Sequence, residues 1–271
     1  MDGATTPHEL TRVSRSGAMS RSSDLLVTEA PVEFRLHGVP LAVLMRTPGH
    51  DEELGLGFAI TEGIVLNPGE VAGVVPASAA DDGDRWSLEL SDGVEVDAEQ
   101  FRRNLYTTSS CGVCGKASID AVRVAARRPP PGPRVSAETL FGLTATMREA
   151  QPGFSATGGI HAAALFTGEG EMIVLREDIG RHNAVDKVVG HSSRLAWPIG
   201  ERILLVSGRV SFEMVQKAAV AGIPVLAGVS AASSLAVELG EELGLTVIGF
   251  LRDDSFNVYT DLGRMVPSHG E

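Results

Sequence analysis

The chain has only two cysteines in 271 residues, Cys111 and Cys114. So few exclude a disulfide-stapled secreted scaffold, and a single Cys-x-x-Cys supplies only half of a structural zinc site. The seven histidines contain no His-x3–5-His pair to complete one, so no stoichiometric metal is expected. Positive charge is scarce as well: 23 Lys and Arg face 35 Asp and Glu, a net charge of −12. That balance excludes broad duplex nucleic-acid binding, which depends on an excess of cations to neutralise phosphates. No apolar run approaches the roughly 18 residues of a membrane span, and the first residues carry no apolar segment of the secretory type. A cytoplasmic protein is the expectation. Hydrophobic residues make up 43% of the chain, enough for a packed core.

What is present centres on Thr107 to Lys116, Thr-Thr-Ser-Ser-Cys-Gly-Val-Cys-Gly-Lys, which holds both cysteines. Core cysteines behave as small hydrophobes and have no reason to lie three apart in a glycine loop. Ala117 to Arg127 reads as a helix from Ile119, Val122 and Ala126, so the pair sits where a helix begins. Amide dipoles there, with Lys116, favour a thiolate and so a nucleophile. Two other chemistries compete. A nucleobase deaminase needs His-x-Glu before Pro-Cys-x-x-Cys, whereas here the order is reversed and Ala163 stands two after His161. A thioredoxin-like thiol-disulfide oxidoreductase lacks its compact unit around the pair.

Residues 1–24 are rich in Ser, Thr and Arg without periodicity and read as a mobile tail, with Met19 as an alternative start. Residues 25–126 form a smaller, largely antiparallel part ending in the cysteine loop and its helix. Val32, Phe34 and Leu36 predict one strand of a hairpin and Leu41, Val43 and Met45 the other; a helix at Asp51 to Glu62 buries Leu54 and Phe58 and ends at Gly63. Trp86, Leu88 and Leu90 against Val94 and Val96 predict a second hairpin around Ser91-Asp92-Gly93. A proline-rich stretch from Arg127 to Arg134 then crosses the surface. Ser136 caps a helix carrying Leu140, Leu143 and Met147 that ends at Pro152-Gly153. From 127 to 271 apolar runs alternate with helical segments: Met172 to Leu175, Ile203 to Val206, Ile223 to Ala227 and Leu245 to Leu251. This pattern predicts an α/β part, a largely parallel sheet sandwiched by helices.

In an open α/β sheet ligands bind beyond the carboxyl ends of the strands. The stretch Arg176 to Asn183 follows one apolar run, Ser207 to Ser211 the next, and Gly228 to Ser234 the third. Each leads into a helix start where free amides and a nearby arginine suit a phosphate oxygen. Ser211 and Ser233 also read simply as helix caps, His161 as a hydrogen-bonded core residue, and Arg176 to His182 as a salt-bridged surface turn. Three such loops together favour a phosphate-bearing ligand.

Four stretches in order, Ser109 to Lys116, Thr157 to Ala163, Arg176 to Lys187 and Ser207 to Met214, resemble the formate dehydrogenase accessory sulfurtransferase family, FdhD. The likeness runs from Val32 to Thr260. It implies a cytidine-deaminase-like mixed or parallel sheet sandwiched by helices, in a cytoplasmic homodimer. It further implies that sulfur is accepted as a persulfide from a cysteine desulfurase and passed to the bis(molybdopterin guanine dinucleotide) cofactor of formate dehydrogenase. By motif position Cys111 would carry the persulfide and Cys114 would be its partner. Phe256, Asn257, Val258, Tyr259, Thr260 and Asp261 would belong to the cofactor site. His161, Arg176, Asp178, Arg181, His182, Ser207, Arg209 and Ser230 are the further contact candidates, with GDP or GMP as fragment ligands. A non-catalytic, cofactor-binding chaperone is the alternative that keeps the arginine loops and dispenses with the cysteines.

Overall fold

The computed structural model describes residues 3–77, 84–99, 101 and 128–266. The Cys111/Cys114 loop and the helix expected after it lie outside the described residues. The stretch expected as an irregular tail instead pairs with itself: β1 (Thr5–Val13) and β2 (Met19–Val27) form an antiparallel hairpin, Thr5 opposite Val27. Nearly every residue in it is exposed. With no buried face there is no apolar alternation to read.

The next hairpin is β3 (Ala30–Leu36) and β4 (Val39–Arg46). Val32, Phe34 and Leu36 are buried as expected, but only Leu41 of the three β4 candidates is. Phe34 pairs with Ala42 and Arg35 with Pro40, so Leu41 has no opposite residue. This bulge reverses the phase, leaving Val43 and Met45 exposed while Ala42 and Leu44 pack on the core. A second correction concerns β6 (Arg85–Leu90), whose antiparallel partner is β5 (Val71–Pro76) and not Val94 and Val96. The other edge of β6 pairs parallel with β3, giving a four-stranded sheet of order β4-β3-β6-β5.

Helix α1 (Asp51–Thr61) is buried from Leu54 to Thr61 because it is covered on two sides. On one, Phe58 stacks on Phe34 with ring centroids 6.1 Å apart. On the other it meets α4 (Arg181–Ser193) through two glycines. A Cβ at Gly57 would stand 1.8 Å from the Asp186 carbonyl oxygen, and one at Gly190 would stand 1.9 Å from that of Glu53. Only residues without side chains permit this backbone approach. Gly63, with φ 74, lies just past the end of α1 as expected.

After the short β7 (Val135–Ser136), α2 (Ala137–Glu149) starts at Ser136, whose hydroxyl accepts from the Thr139 amide at 3.1 Å. Pro152-Gly153 does not end this helix; Pro152 opens another, α3 (Pro152–Thr157), where proline at the first turn lacks only an amide that would be unpaired anyway. The main sheet follows: β8 (His161–Thr167), β9 (Met172–Asp178), β10 (Arg202–Val206), β11 (Val225–Gly228), β12 (Thr246–Gly249) and β13 (Asn257–Thr260). Its order is β13-β12-β11-β10-β8-β9. β10, β11 and β12 are parallel; β8 and β13 run against them, and β9 is antiparallel to β8. Helices α4, α5 (Phe212–Val220) and α6 (Ser234–Leu243) cover one face together with α1, and α2 covers the other. A two-residue β14 (Met265–Val266) pairs with β7. The architecture is the α/β sandwich that the sequence implies, with a smaller, mostly antiparallel sheet at the N-terminal side; the main sheet, expected to be largely parallel, is mixed, because β8 and β13 run against their neighbours.

Between α1, α4 and α5 lies a buried charge cluster. Lys217 Nζ donates to Thr61 Oγ1, Glu62 Oε1 and both Asp186 oxygens at 2.8 to 3.0 Å, and the Thr61 hydroxyl donates to Asp186 Oδ1 at 2.7 Å. Burial alone would push Lys217 towards neutrality, but Asp186 and Glu62 outweigh it and hold the ammonium charged, above its ordinary range.

Candidate functional site

The strand directions place the ends of β9, β10, β11 and β12 and the start of β8 on one edge of the sheet. The three loops singled out in the sequence therefore do open together. Those after β10 and β11 are laced to each other: Val210 N donates to Ala231 O and Ser233 N to Val210 O, both at 3.0 Å. Between them is a depression of ≈ 320 Å³ lined by Arg209, Val210, Ser211, Ala231, Ala232 and Ser233. Arg209 is exposed at its rim.

The two capping serines differ. Ser233 Oγ accepts from Ala236 N at 3.3 Å, an ordinary cap of α6. Ser211 stands in the same position before α5, yet its hydroxyl makes no cap bond and is buried without a partner. Ser207 Oγ accepts from the Ala162 amide at 2.9 Å, and His161 Nδ1 lies 3.4 Å from the same hydroxyl. Burial, then Arg181 and His182, lower the pKa of His161 against the opposing pull of Asp178, which favours the neutral ring. Gly208 lies under these groups: a Cβ there would come 3.5 Å from both Arg181 Cδ and His161 Nδ1. Further along, His182 Nε2 donates to Glu213 Oε2 at 2.6 Å and ties the first turn of α4 to that of α5. Glu213 is a residue that the loop reading missed; a glutamate amid Phe212, Met214 and Val215 at the start of a buried helix was the available signal.

The charged stretch from Arg176 to Lys187 divides by position. Arg176 grips Glu53 of α1 through Nε and Nη2 at 2.6 and 2.7 Å. Asp178, fully buried, receives Lys187 Nζ at 2.7 Å, Gly180 N at 2.8 Å, Asn183 Nδ2 at 2.9 Å and Thr47 N at 3.2 Å. Both belong to the scaffold that fixes α4 on the sheet. Arg181 and His182, on the first turn of α4, remain at the edge. Burial would raise the carboxyl of Glu53, but hydrogen bonds from Arg176 and His191 prevail and hold it below the ordinary carboxylate range.

The C-terminal segment divides likewise. β13 runs antiparallel to β12, so Asn257 lies at the ligand edge opposite Gly249, and Thr260 lies towards the far end. Tyr259 leans over Gly249, its Cε2 2.9 Å from where a Cβ would stand, with the Ser230 carbonyl 3.2 Å from the same point. Tyr259 and Ser230 are thus neighbours beside the depression, and Val258 is exposed. Phe256 packs on Phe141 at 5.4 Å. Thr260 donates to Leu245 O, and Asp261 accepts from Thr246 Oγ1 and the Arg264 amide; these two close the sheet edge. Sequence reading also missed Phe250, which follows β12 at φ 52 with its side chain 43% exposed. A bulky residue in that conformation is an outlier of the kind concentrated at binding sites. Cys111 and Cys114 lie outside the described residues.

A model of the FdhD/NarQ family matches residues 27–266 of this chain. The sulfur carrier protein FdhD of Streptomyces coelicolor is 51% identical over 260 residues, covering 93% of this chain and 92% of that protein. The protein of the same name from Mycobacterium tuberculosis is 46% identical over 274 residues, with 97% and 99% covered, and that from Sulfolobus acidocaldarius 41% over 249, with 91% and 93%. Among solved structures, a Desulfotalea psychrophila protein provisionally described as a formate dehydrogenase accessory protein superposes with a TM-score of 0.78 over 97% of this chain and 100% of that one. At 20% identity this is a likeness of fold. Identities of 41 to 51% across nearly the whole chain, with a family match from the second hairpin strand to the last strand, make it a member of the FdhD/NarQ family.

Proposed function

We propose that the chain is a cytoplasmic sulfur carrier, acting as a homodimer, that takes sulfur from a cysteine desulfurase and delivers it to the bis(molybdopterin guanine dinucleotide) cofactor destined for formate dehydrogenase. The observation that carries this reading is the gathering of the α5 and α6 starts, with Arg209, around one depression at the sheet edge, with Arg181 at the start of α4 close by Gly208. In a chain of net charge −12 such a concentration of amide donors and guanidinium groups suits the phosphates of a nucleotide-bearing acceptor. The names of the relatives, sulfur carrier proteins, point the same way. His161, Arg181, His182, Ser207, Arg209, Ser230, Asn257 and Tyr259 are the contacts we assign, with GDP or GMP as fragment ligands; Arg176, Asp178, Thr260 and Asp261 support them from beneath.

Loading is a thiolate displacement. The Cys111 thiolate attacks the outer sulfur of the donor persulfide; one S–S bond forms as another breaks, and the desulfurase cysteine leaves as a thiolate. Cys114 stands ready as partner thiol. The test is to incubate the protein with a desulfurase and cysteine and record its intact mass. A gain of about 32 Da, lost in Cys111→Ser, is expected for a carried sulfur. An unloaded protein that still binds GDP would instead mark a non-catalytic cofactor chaperone.

A further inference from the structure

The hairpin of β1 and β2 is a part of the molecule with little cover. Its strands are nine residues each, a ladder about 30 Å long, and no residue in either is fully buried. Attachment is at the base. A Cβ at Gly159 would stand 3.8 Å from Val27 Cγ2, one at Gly3 would stand 3.8 Å from Pro48 Cβ, and Thr28 N donates to Ala4 O at 3.0 Å. Gly159 comes just before His161, so the hairpin rises from the ligand edge. A two-stranded ladder standing alone in water is at best marginally stable, and this one belongs against another surface.

Its residues show what that surface must offer. Opposite residues share a face and so do alternate ones, which puts Pro7, Val13, Met19 and Leu25 together. Val13 and Met19, paired beside the turn, are 59% and 74% exposed. From Leu10 to Ser23 the chain has Arg12, Arg15 and Arg21 and no carboxylate, and all three arginines are exposed. With +3 here and −12 overall, the rest of the chain carries −15. A second copy of this chain therefore presents the complementary charge.

Area points the same way. One face of the ladder, about 30 Å by about 10 Å, offers roughly 300 Å². A foreign protein covering one arm would bury roughly 600 Å² over both partners, in the range of weak contacts. Two copies exchanging arms about a twofold axis would bury roughly 1,200 Å², the lower end of stable interfaces.

We propose that the β1 and β2 hairpin is an exchanged arm, which lies across the body of a second copy of this chain. Val13, Met19 and Leu25 meet apolar surface there, and Arg12, Arg15 and Arg21 meet its carboxylates. It rests on the homodimer reading above and adds the element that holds the dimer together.

The test is sedimentation equilibrium of the full chain at low and high salt, with amide hydrogen exchange of residues 5–27 followed against protein concentration. The parent should be a dimer whose hairpin amides become more protected as concentration rises. Val13→Asp with Met19→Asp, at two positions already open to solvent in the single chain, should weaken the dimer at least roughly tenfold with an unchanged circular dichroism spectrum. Arg12→Glu, Arg15→Glu and Arg21→Glu together should weaken it at low salt and remove most of its salt dependence. A dimer that both variants leave undiminished, with hairpin exchange indifferent to concentration, would overturn the arm and leave the homodimer standing. A parent that stays monomeric from micromolar to millimolar concentration would overturn both. Neither result bears on sulfur loading of Cys111, which intact mass reads separately.

Discussion

Two kinds of polar cluster in this molecule draw on the same helices and end in opposite states. Around Asp178 with Lys187, and around Asp186 with Lys217, the charged atoms find partners inside the chain. One turn away, at the starts of α4 and α5, Arg181, Ser211 and Glu213 each keep a buried atom with none. The contrast separates groups whose work is finished on folding from groups that folding leaves incomplete. Buried charge by itself marks neither; the count of partners does.

The largest effect expected from breaking the closed side is in Lys217→Ala. It leaves Asp186 buried with Thr61 alone and should cost about 3 to 5 kcal/mol in chemical denaturation. Replacing Asp186 and Lys217 together by Leu and Met should recover most of that loss, because the uncompensated charge goes with its partner. On the open side stability should hardly move and binding should. Arg209→Ala is expected to weaken GDP roughly tenfold to a hundredfold, about 1.5 to 3 kcal/mol, and Arg209→Lys to restore only part of it, since an ammonium lacks the planar fork. Loading of Cys111 should be unaffected in both.

A smaller effect sharpens the comparison through pH. His161 has a folded-state pKa below the ordinary value near 6.5, through burial first, then Arg181 and His182. Between the two values the unfolded chain binds more protons, so stability rises with pH there and falls as pH drops below about 6.5. His50, lowered by burial and then Arg176, contributes with the same sign, and Glu53 adds a loss at lower pH still, below the ordinary carboxylate range. The melting temperature of His161→Gln should therefore decline less steeply between pH 7 and pH 5 than that of the parent. The smallest effect belongs to the exposed pair of Arg194 and Glu52, 2.7 Å apart with both side chains about half exposed. Arg194→Ala should change stability by no more than about 1 kcal/mol, and less in salt.

How legible these features were in the sequence follows from how local their causes are. The β3 and β4 hairpin, α1 and the cap at Ser136 could be read because alternation, helical spacing and a capping hydroxyl act within a few residues. β5 could not: Gly73 and Pro76 interrupt its pattern, while Val94 and Val96 offered a better imitation of a strand. The ligand edge was legible because β9, β10, β11 and β12 all run the same way and so end on one side. What the sequence left undivided was Arg176 to His182. Arg176 and Asp178 lie on β9 beneath α1 and α4, whereas Arg181 and His182 begin α4 itself; only the packing of those helices tells them apart.

Gly57 and Gly190, where α1 and α4 touch backbone to backbone, give the molecule a keyway. Gly190 is nine residues from Arg181 along α4, roughly 13 Å of stiff helix. A methyl group added at that crossing cannot be absorbed by turning a side chain, because what it meets is a carbonyl. α4 would have to shift as a rod, carrying Arg181 and His182 with it. Alignment of the binding edge is therefore set partly at the crossing, and a change there would register as misplaced guanidinium and imidazole groups in a site it never touches.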